Sequence, residues 1–391
     1  MKNVPKLRFN GFSDEWREFE LGDLAEISKG KYNPSKDKLN YKCIELEHIA
    51  QNDGKILGYV DSKGQNSIKN KFNKGEVLFG KLRPYLKKYW LSEFEGVCSS
   101  EIWVLNGKRV TNPFLYRIVQ SDKFDTISNI SSGSKMPRAD WNYMSTEVFN
   151  IPTTEEQEKI ASFLTKVDKI IEKQDEKISN LEQYKKGMMQ KIFSQEIRFK
   201  KDDGGEYPEW EKKKASELFK NISDKNHNGE LDVLSVTQDR GVMLRSDLDI
   251  DIKFDLDSVK NYKRVKPGEF IISLRSFQGG FELSEIEGLI SPAYTVFNFI
   301  DISKSNAKYF GYIFKSENFI RKLAGLIYGV RDGKAISFTD FSTMKFEYPC
   351  IEEQTKIANF LSKIDSIVEK EKEKLEELRV WKKGLLQQMF V

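Results

Sequence analysis

Apolar and polar positions follow the same period in two separate stretches of the chain. From Ile160 to Ile192, and again from Ile357 to Met389, mainly apolar residues recur at alternating steps of four and three positions, with charged residues between them. This period places a narrow apolar stripe along an α-helix, which is the pattern of a coiled-coil seam. The sequence therefore predicts two long helices, each of about 40 residues and roughly 60 Å in length.

The two stretches are copies of one another. Residues 152–193 align with 349–390 without a gap, and 22 of the 42 positions are identical. Chance does not produce such a match, so the chain is a tandem duplication in which a long helix follows each of two other segments. The predicted domains and spacer helices, in chain order, are residues 1–150, 151–197, 198–348 and 349–391.

Two polar residues interrupt each apolar seam at equivalent positions. They are Gln174 and Lys185 in the first copy, and Glu371 and Lys382 in the second. A lysine in an apolar seam is costly unless it has a partner or reaches solvent, and a polar seam position can fix the register of a coiled coil. We therefore expect these four residues to define how the helices pair.

The segments that precede the helices have a mixed pattern. Short apolar runs bounded by Gly, Pro and Asn indicate strands, and longer amphipathic runs indicate helices. The predicted strands are 75–82, 101–105, 268–276 and 294–300, and the predicted helices are 112–124 and 306–325. The fold class is therefore α+β, with two similar globular domains joined by the two long helices in a pseudo-two-fold repeat.

The two globular segments also resemble each other, although less than the helices do. Residues 74–83 parallel 267–275, and Trp16 and Trp210 occupy equivalent places near the start of each segment. We expect both tryptophans to be core anchors rather than platforms on which bases stack. The helices have stayed similar while the globular segments diverged. Two similar helices are therefore attached to two different globular domains.

Composition excludes several classes of protein. The 391 residues contain no run of about 18 apolar residues, so a membrane span is excluded, and the first residues lack the apolar core of a signal peptide. The cysteines Cys43, Cys98 and Cys350 are scattered and odd in number, which suits a reducing cytoplasm and offers no zinc quartet. The net charge is only +4, but residues 1–150 carry +5, so any basic surface is a local patch.

Motifs for catalysis are missing from the sequence. The nearest approach to a phosphate-binding loop, at 325–335, has the wrong spacing and ends in Ala335 where a hydroxyl is needed. The two histidines, His48 and His227, lie in no metal-binding or nucleophile-activating pattern. The sequence therefore predicts a non-catalytic chain that binds no metal and no cofactor.

Basic side chains cluster on loops with small or aromatic residues. The stretch 80–90 holds four cations, two tyrosines and a tryptophan without an acid, and the loops 131–143 and 328–338 occupy equivalent places in the two halves. Such loops suit phosphate contact and base reading, although each cluster taken alone is also typical of a solvated surface. The candidate DNA-binding residues are Lys81, Arg83, Lys87, Lys88, Lys135, Arg138, Lys263, Arg264, Arg275, Arg331 and Lys334.

These features together resemble one protein family. The opening at 5–24, the run from 131–141 into 151–164, and the second Glu-Glu-Gln stretch at 352–365 are similar to the specificity subunit of Type I restriction–modification systems. The resemblance covers essentially the whole chain. It implies two target recognition domains, each of which reads one half of a bipartite, asymmetric DNA site.

The resemblance also implies partners and cofactors. The two helices would pair antiparallel as a spacer and dock two methyltransferase subunits, and restriction subunits that use ATP would join the full complex. S-adenosylmethionine, ATP and Mg²⁺ would bind those partners and not this chain. The repeated helix starts are the most specific part of the likeness, so we expect them to dock the partners through Glu155, Glu156, Gln157, Glu352, Glu353 and Gln354.

Antiparallel pairing assigns a partner to each polar seam position. If the crossing is centred midway between the polar positions, Lys185 faces Glu371 and Gln174 faces Lys382. The simpler alternative is that both lysines extend to solvent.

Two other functions are compatible with the sequence. One is a DNA-recognition subunit of another multi-subunit restriction or methylation system. The other, from a different class, is a coiled-coil scaffold whose heads bind proteins. Salt-dependent binding to duplex DNA separates a DNA reader from a scaffold.

Overall fold

The computed structural model describes residues 4–130, 136–237, 240–248, 259–273, 279–326 and 336–390. The chain forms two compact units, which are Met1–Glu176 with Lys372–Val391, and Lys177–Glu371. Each unit therefore contains one globular head and a part of both long helices. We call residues 17–151 the first head and residues 211–348 the second head.

The two long helices form as the sequence predicts. They run over Thr154–Phe193 and Ile351–Met389. The seam is buried along most of both helices, as Leu164 in the first and Leu361 in the second illustrate. Acidic residues lie in the first turn of each helix, where they complement the positive end of the helix dipole.

In the second unit the long helices run antiparallel. Lys177 pairs with Glu371 at 2.6 Å, and Lys185, further along the first helix, pairs with Asp365, which is earlier on the second. Asp365 also accepts a hydrogen bond of 2.6 Å from the hydroxyl of Tyr312 in the second head. Burial, and then this hydrogen bond, raises the pKa of Tyr312, so the hydroxyl remains a donor.

The first unit contains the equivalent arrangement. Asp168 Oδ1 pairs with Lys382 Nζ of the second helix at 2.7 Å. Asp168 Oδ2 accepts a hydrogen bond of 2.6 Å from Arg117 Nη1 of the first head. We call the sites at Asp168 and Asp365 the carboxylate junctions, because each joins a head to both long helices.

The predicted partners of the seam lysines are therefore wrong. Lys185 does not face Glu371, and Lys382 does not face Gln174. If one long helix is shifted along the other by about one heptad, the two apolar seams still face each other. The hydrophobic pattern therefore does not determine the register of the helix pair. The lysine side chains are 26% and 17% exposed and pair with carboxylates, so the alternative of simple extension into solvent is also wrong.

The described part of the first head contains three sheets. Its strands are β1 (Arg17–Glu20), β2 (Ala25–Ile27), β3 (Lys31–Tyr32), β4 (Lys42–Ile44), β5 (Val60–Asp61), β6 (Lys69–Phe72), β7 (Val77–Gly80), β8 (Tyr89–Leu91), β9 (Gly96–Cys98), β10 (Ile102–Gly107) and β11 (Val148–Ile151). They form sheets in the orders β2–β10–β7–β8, β3–β6–β9–β4–β5 and β1–β11. A core that includes Ile44, Leu78 and Val104 packs between the two larger sheets.

The second head reproduces the four-stranded sheet. Its strands are β12 (Glu211–Lys214), β13 (Phe219–Ile222), β14 (Leu234–Thr237), β15 (Gly241–Leu244), β16 (Lys263–Val265), β17 (Phe270–Ile272), β18 (Phe281–Leu283), β19 (Gly288–Ile290), β20 (Thr295–Phe299) and β21 (Lys345–Tyr348). The order β13–β20–β17–β18 matches β2–β10–β7–β8 strand for strand. Packed rings such as Phe219, Phe297 and Phe314 fill this core.

Short helices complete each head. In the part of the chain that the structure describes, the α-helices are Leu21–Leu24, Asn112–Val119, Asp122–Ser128 and Trp141–Met144 in the first head, and Ala215–Leu218, Ala307–Lys315, Glu317–Leu326 and Phe338–Ser342 in the second. The 3₁₀ turns are Leu46–His48, Pro84–Leu86, Arg245–Asp247 and Ile302–Lys304. The helices predicted at 112–124 and 306–325 are each divided into two shorter helices at a serine. Ser121 and Ser316 accept backbone hydrogen bonds that cap the second of these helices.

Each head begins and ends at one two-stranded pair. Arg17 of β1 lies opposite Ile151 of β11, and Glu211 of β12 lies opposite Tyr348 of β21. The chain thus leaves each head beside its entry and continues into a long helix. Trp16 and Trp210, just before these pairs, are buried as predicted. The α+β class with an internal repeat is confirmed.

A double-mutant cycle tests the register of the helices. We expect Lys185→Met and Asp365→Asn to show a coupling of at least about 0.5 kcal/mol in urea unfolding of the complete chain, because they remove one ion pair. The same cycle between Lys185 and Glu371 should give a coupling near zero. Equal coupling in the two cycles would contradict the observed register.

Candidate nucleic-acid interface

The hairpin between β7 and β8 carries the first of the predicted basic clusters. Its loop, residues 81–88, contains the 3₁₀ turn Pro84–Leu86, and the residues on either side of that turn have left-handed backbone conformations. Arg83 has φ of 53° and Lys87 has φ of 49°. Hydrogen bonds from Leu86 N to Arg83 O and from Lys87 N to Pro84 O close the loop.

This loop is fastened to the second predicted cluster by backbone hydrogen bonds. Arg83 N donates to Pro137 O at 2.8 Å, and Ala139 N donates to Lys81 O at 2.9 Å. On its other side, Lys81 N donates to Glu101 O at 3.0 Å. Two stretches that the sequence placed about fifty positions apart therefore form one surface, which we call the hairpin surface (residues 81–88 and 136–139).

Several side chains of the hairpin surface face solvent. Tyr85 is 52% exposed and Met136 is 57% exposed, and Arg83 is exposed beside them. Among the described residues, the side chains of Arg83 and Lys81 form no hydrogen bond or ion pair. Neither cation would give up a contact with a described residue on binding an anionic ligand.

Arg138 is held in a defined orientation on the same surface. Its guanidinium donates to the carboxylate of Glu101 through Nε at 3.0 Å and through Nη2 at 3.4 Å, while the side chain remains 49% exposed. These hydrogen bonds raise the pKa of Arg138. A partly exposed, oriented guanidinium has the fork geometry needed to recognise a guanine edge or a phosphate.

Lys87 and Lys88 have internal partners. Lys87 pairs with Asp125 at 2.8 Å, and Lys88 Nζ donates to Leu46 O at 2.6 Å. Both lysines therefore fasten the hairpin to its neighbours. A contact with DNA would require them to exchange these partners.

The two predicted DNA-binding cations of the second head that lie within the described residues also have internal partners. Lys263 Nζ donates to Tyr294 O at 2.6 Å, and burial lowers the pKa of this lysine. Arg264 pairs with Glu287 at 2.6 Å. The remaining predicted DNA-binding residues, Lys135, Arg275, Arg331 and Lys334, lie outside the described residues.

Sequence reasoning did not single out Tyr85, Glu101 and Met136. Tyr85 stands among the predicted cations, so its position in a basic loop was the available signal. Glu101 is the first residue of the predicted strand 101–105 and carries no such signal, because its role depends on a contact with Arg138 across the fold.

The start of the first long helix holds the first head in place. Glu156 is 1% exposed and accepts hydrogen bonds from Arg8 Nε at 2.7 Å and Nη2 at 2.8 Å. Gln157 is also buried, and its Oε1 accepts from the backbone N–H of Thr111, which caps a helix of the head. These side chains fasten the N-terminal arm and the head to the long helix.

The start of the second long helix repeats these contacts. Glu353 is fully buried and accepts from Arg198 Nη2 at 3.0 Å and from Trp210 Nε1 at 2.9 Å. Gln354 is also fully buried, and its Oε1 accepts from the backbone N–H of Asn306 at 2.9 Å. The two sets of contacts use equivalent positions of the repeat.

The predicted docking residues therefore divide into two groups. Glu156, Gln157, Glu353 and Gln354 lie in the interior, so a partner subunit cannot reach them, and their docking role is corrected to an internal one. Glu155 and, in the second copy, Glu352 are exposed. For these two residues partner docking stays a prediction.

No described helix is long and apolar enough to cross a membrane. Within the described ranges, no group of three or more His, Cys, Asp and Glu side chains could hold a metal ion.

Comparison with known proteins gives consistent matches along the chain. The family described as the Type I restriction modification DNA specificity domain matches residues 13–183 and, a second time, 207–379. A putative type I restriction enzyme MjaX specificity subunit of Methanocaldococcus jannaschii is 26% identical over 97% of this chain and 94% of its own length. The EcoDI specificity subunit of Escherichia coli is 29% identical over 41% of this chain and 35% of its own.

Solved structures share the fold. A chain from a structure of a type I R-M system gives a TM-score of 0.59 at 18% identity, over 96% of this chain and 97% of that one. The S subunit of a Type-I restriction-modification system from M. genitalium gives a TM-score of 0.56 at 15% identity, over 99% of both chains.

Paired substitutions at the helix start separate the internal role from docking. We expect Glu156→Gln to lower the free energy of unfolding by about 2 kcal/mol or more, because it leaves the charge of Arg8 without its buried partner. The neighbouring Glu155→Gln should change it by less than about 0.5 kcal/mol. Urea denaturation of the complete chain measures both values. Similar losses in both variants would refute the assigned difference.

Proposed function

This chain belongs to the Type I restriction modification DNA specificity family, and on that premise we propose how it recognises DNA and assembles. It is a specificity subunit with two recognition domains. Each head reads one half of a bipartite, asymmetric site in double-stranded DNA. The long helices space the heads and dock two methyltransferase subunits.

The hairpin surface is the observation that supports DNA reading by the first head. Backbone hydrogen bonds join the loop that carries Lys81 and Arg83 to the stretch that carries Arg138, and the ring of Tyr85 is exposed on that loop. Arginine and lysine on such a face supply phosphate contacts, and an oriented arginine also reads a guanine edge in the major groove.

The repeated helices support docking of two copies of one partner. The same contacts at the helix starts and the same carboxylate junctions recur in both units, so equivalent surfaces are built twice. Glu155 and Glu352 are exposed at equivalent positions and would contact the methyltransferase subunits. Restriction subunits would join the full complex.

The catalytic steps belong to the partner subunits in this proposal. The chain acts in the cytoplasm and binds no cofactor itself. S-adenosylmethionine, ATP and Mg²⁺ serve methylation, translocation and cleavage on the partners. The purified chain alone would then neither methylate nor cleave DNA nor hydrolyse ATP.

Exchange of one head tests the independent reading of half-sites. We would replace residues 17–151 with the head of another family member, so that the pair β1–β11 moves with it. The introduced head should have a side chain that can donate a hydrogen bond at the position of Arg117, so that the junction to Asp168 is kept. Mapping of methylated bases should show one altered half-site and one unaltered half-site. Alteration of both halves would contradict independent heads. Absence of salt-dependent binding to duplex DNA would favour a protein-binding scaffold.

Arg138→Ala tests the hairpin surface as the reader of the first half-site. If Arg138 contacts a base, binding should weaken by about 1–3 kcal/mol and one base position should relax; a phosphate contact should weaken all sequences alike. Arg264→Ala removes an ion-paired arginine from the second head and is the control, with the first half-site unchanged. Wild-type binding by Arg138→Ala would exclude this arginine as a DNA contact.

A further inference from the structure

The tip of the β7–β8 hairpin presents two side chains in a fixed arrangement. Arg83 and Tyr85 are exposed, and Pro84 between them is buried. The tip is held by hydrogen bonds on three sides, to the backbone at Pro137, at Asn52 and within the 3₁₀ turn itself. An arginine and an aromatic ring are therefore both exposed on a loop whose backbone is held by hydrogen bonds.

The backbone at this tip is strained in a way that points to a role for the side chain. Arg83 adopts φ of 53° and ψ of 61°, a conformation that glycine adopts freely and that other residues rarely adopt. A strained residue that persists in a surface loop indicates a function for its side chain. Arginine occupies a position where glycine would form the same turn without strain.

The second head carries a similar short sequence at the equivalent place. Leu82-Arg83-Pro84-Tyr85 follows β7, and Leu274-Arg275-Ser276-Phe277 follows β17, the matching strand of the repeated sheet. The heads have diverged over most of their length, yet both keep an arginine, one intervening residue and an aromatic ring. Residues 274–278 lie outside the described residues, so the comparison is one of sequence.

A feature shared by two heads that read different sequences must contact what the two half-sites have in common. Duplex DNA of any sequence offers phosphates and the apolar faces of bases and sugars, whereas the pattern on the base edges differs. Tyrosine and phenylalanine share the ring and not the hydroxyl, so the common contact is made by the ring.

We propose that Arg83 and Tyr85 form a sequence-independent DNA clamp. Arg83 binds a backbone phosphate, and the ring of Tyr85 packs against a base or sugar of the same strand. The clamp supplies affinity, and the rest of the hairpin surface, including Arg138, supplies sequence discrimination. This proposal rests on the proposed function, because it assumes that the first head binds duplex DNA.

The test measures the binding of two fluorescein-labelled duplexes to the complete chain assembled with its modification subunits. One duplex contains the site found by mapping methylated bases, and the other is a scrambled duplex of the same composition. Affinity is measured over a series of salt concentrations. Tyr85→Ala should weaken binding to both duplexes by the same factor, at least about fivefold. Tyr85→Phe should bind like the wild type.

Substitutions at Arg83 test the phosphate contact separately from folding. Arg83→Ala should lower the slope of log affinity against log salt concentration by about one for both duplexes. Arg83→Gly should have the same effect and unfold at the same or a higher temperature, because glycine relieves the strained backbone. Lys74→Ala is the matched control, since Lys74 is exposed in the turn at the opposite end of β7, and it should bind like the wild type.

Distinct outcomes would overturn the clamp and the proposed function. If the wild type binds both duplexes and Tyr85→Ala binds them equally well, the clamp is refuted and DNA recognition is not. Loss of binding to the methylated-site duplex alone would also refute the clamp, because Tyr85 would then read sequence. A wild-type complex that binds neither duplex would refute the proposed function together with the clamp.

Discussion

The arrangement of each unit depends on one carboxylate at the edge of the helical seam, which contacts the head and the opposite long helix. Asp168 uses one oxygen for Arg117 of the head and the other for Lys382 of the second helix. A carboxylate has two oxygens that accept strong, charge-assisted hydrogen bonds in separate directions, so one side chain joins three elements. A half-buried lysine beside an apolar seam needs such a partner, and this need selects the register that apolar packing leaves open.

The junctions give one physical reason why the two helices resemble each other more than the heads do. Lys185 of the first copy meets Asp365 of the second, and Lys382 of the second meets Asp168 of the first. A change in one copy therefore leaves a partner in the other copy unpaired. The head side is more permissive, because any hydrogen-bond donor satisfies the remaining oxygen. Arginine fills that role in one unit and a tyrosine in the other.

The same division between constant and variable contacts fits a reader of two different half-sites. Buried Glu156 and Glu353 bind the segments that precede the two heads, through Arg8 and Arg198, and the neighbouring buried glutamines bind the heads themselves. The described basic residues, in contrast, differ in their settings: Arg138 is oriented by Glu101 on the hairpin surface, whereas Arg264 lies within strand β16 and pairs with Glu287. Constant attachment together with divergent surfaces allows one half-site to change without disturbing the other.

The sequence by itself determined the duplication, the two long helices and the α+β heads, because periodicity and internal identity are local properties that survive without a structure. It also placed the basic clusters and the buried tryptophans. Only the tertiary structure decided the helix register, the burial of Glu156 and Glu353, and the joining of residues 81–88 to 136–139. Each of these depends on contacts between residues distant in the chain. A heptad pattern is compatible with more than one register. The identity of a charged residue does not show whether it is buried. The number of residues between two loops does not determine their distance in space.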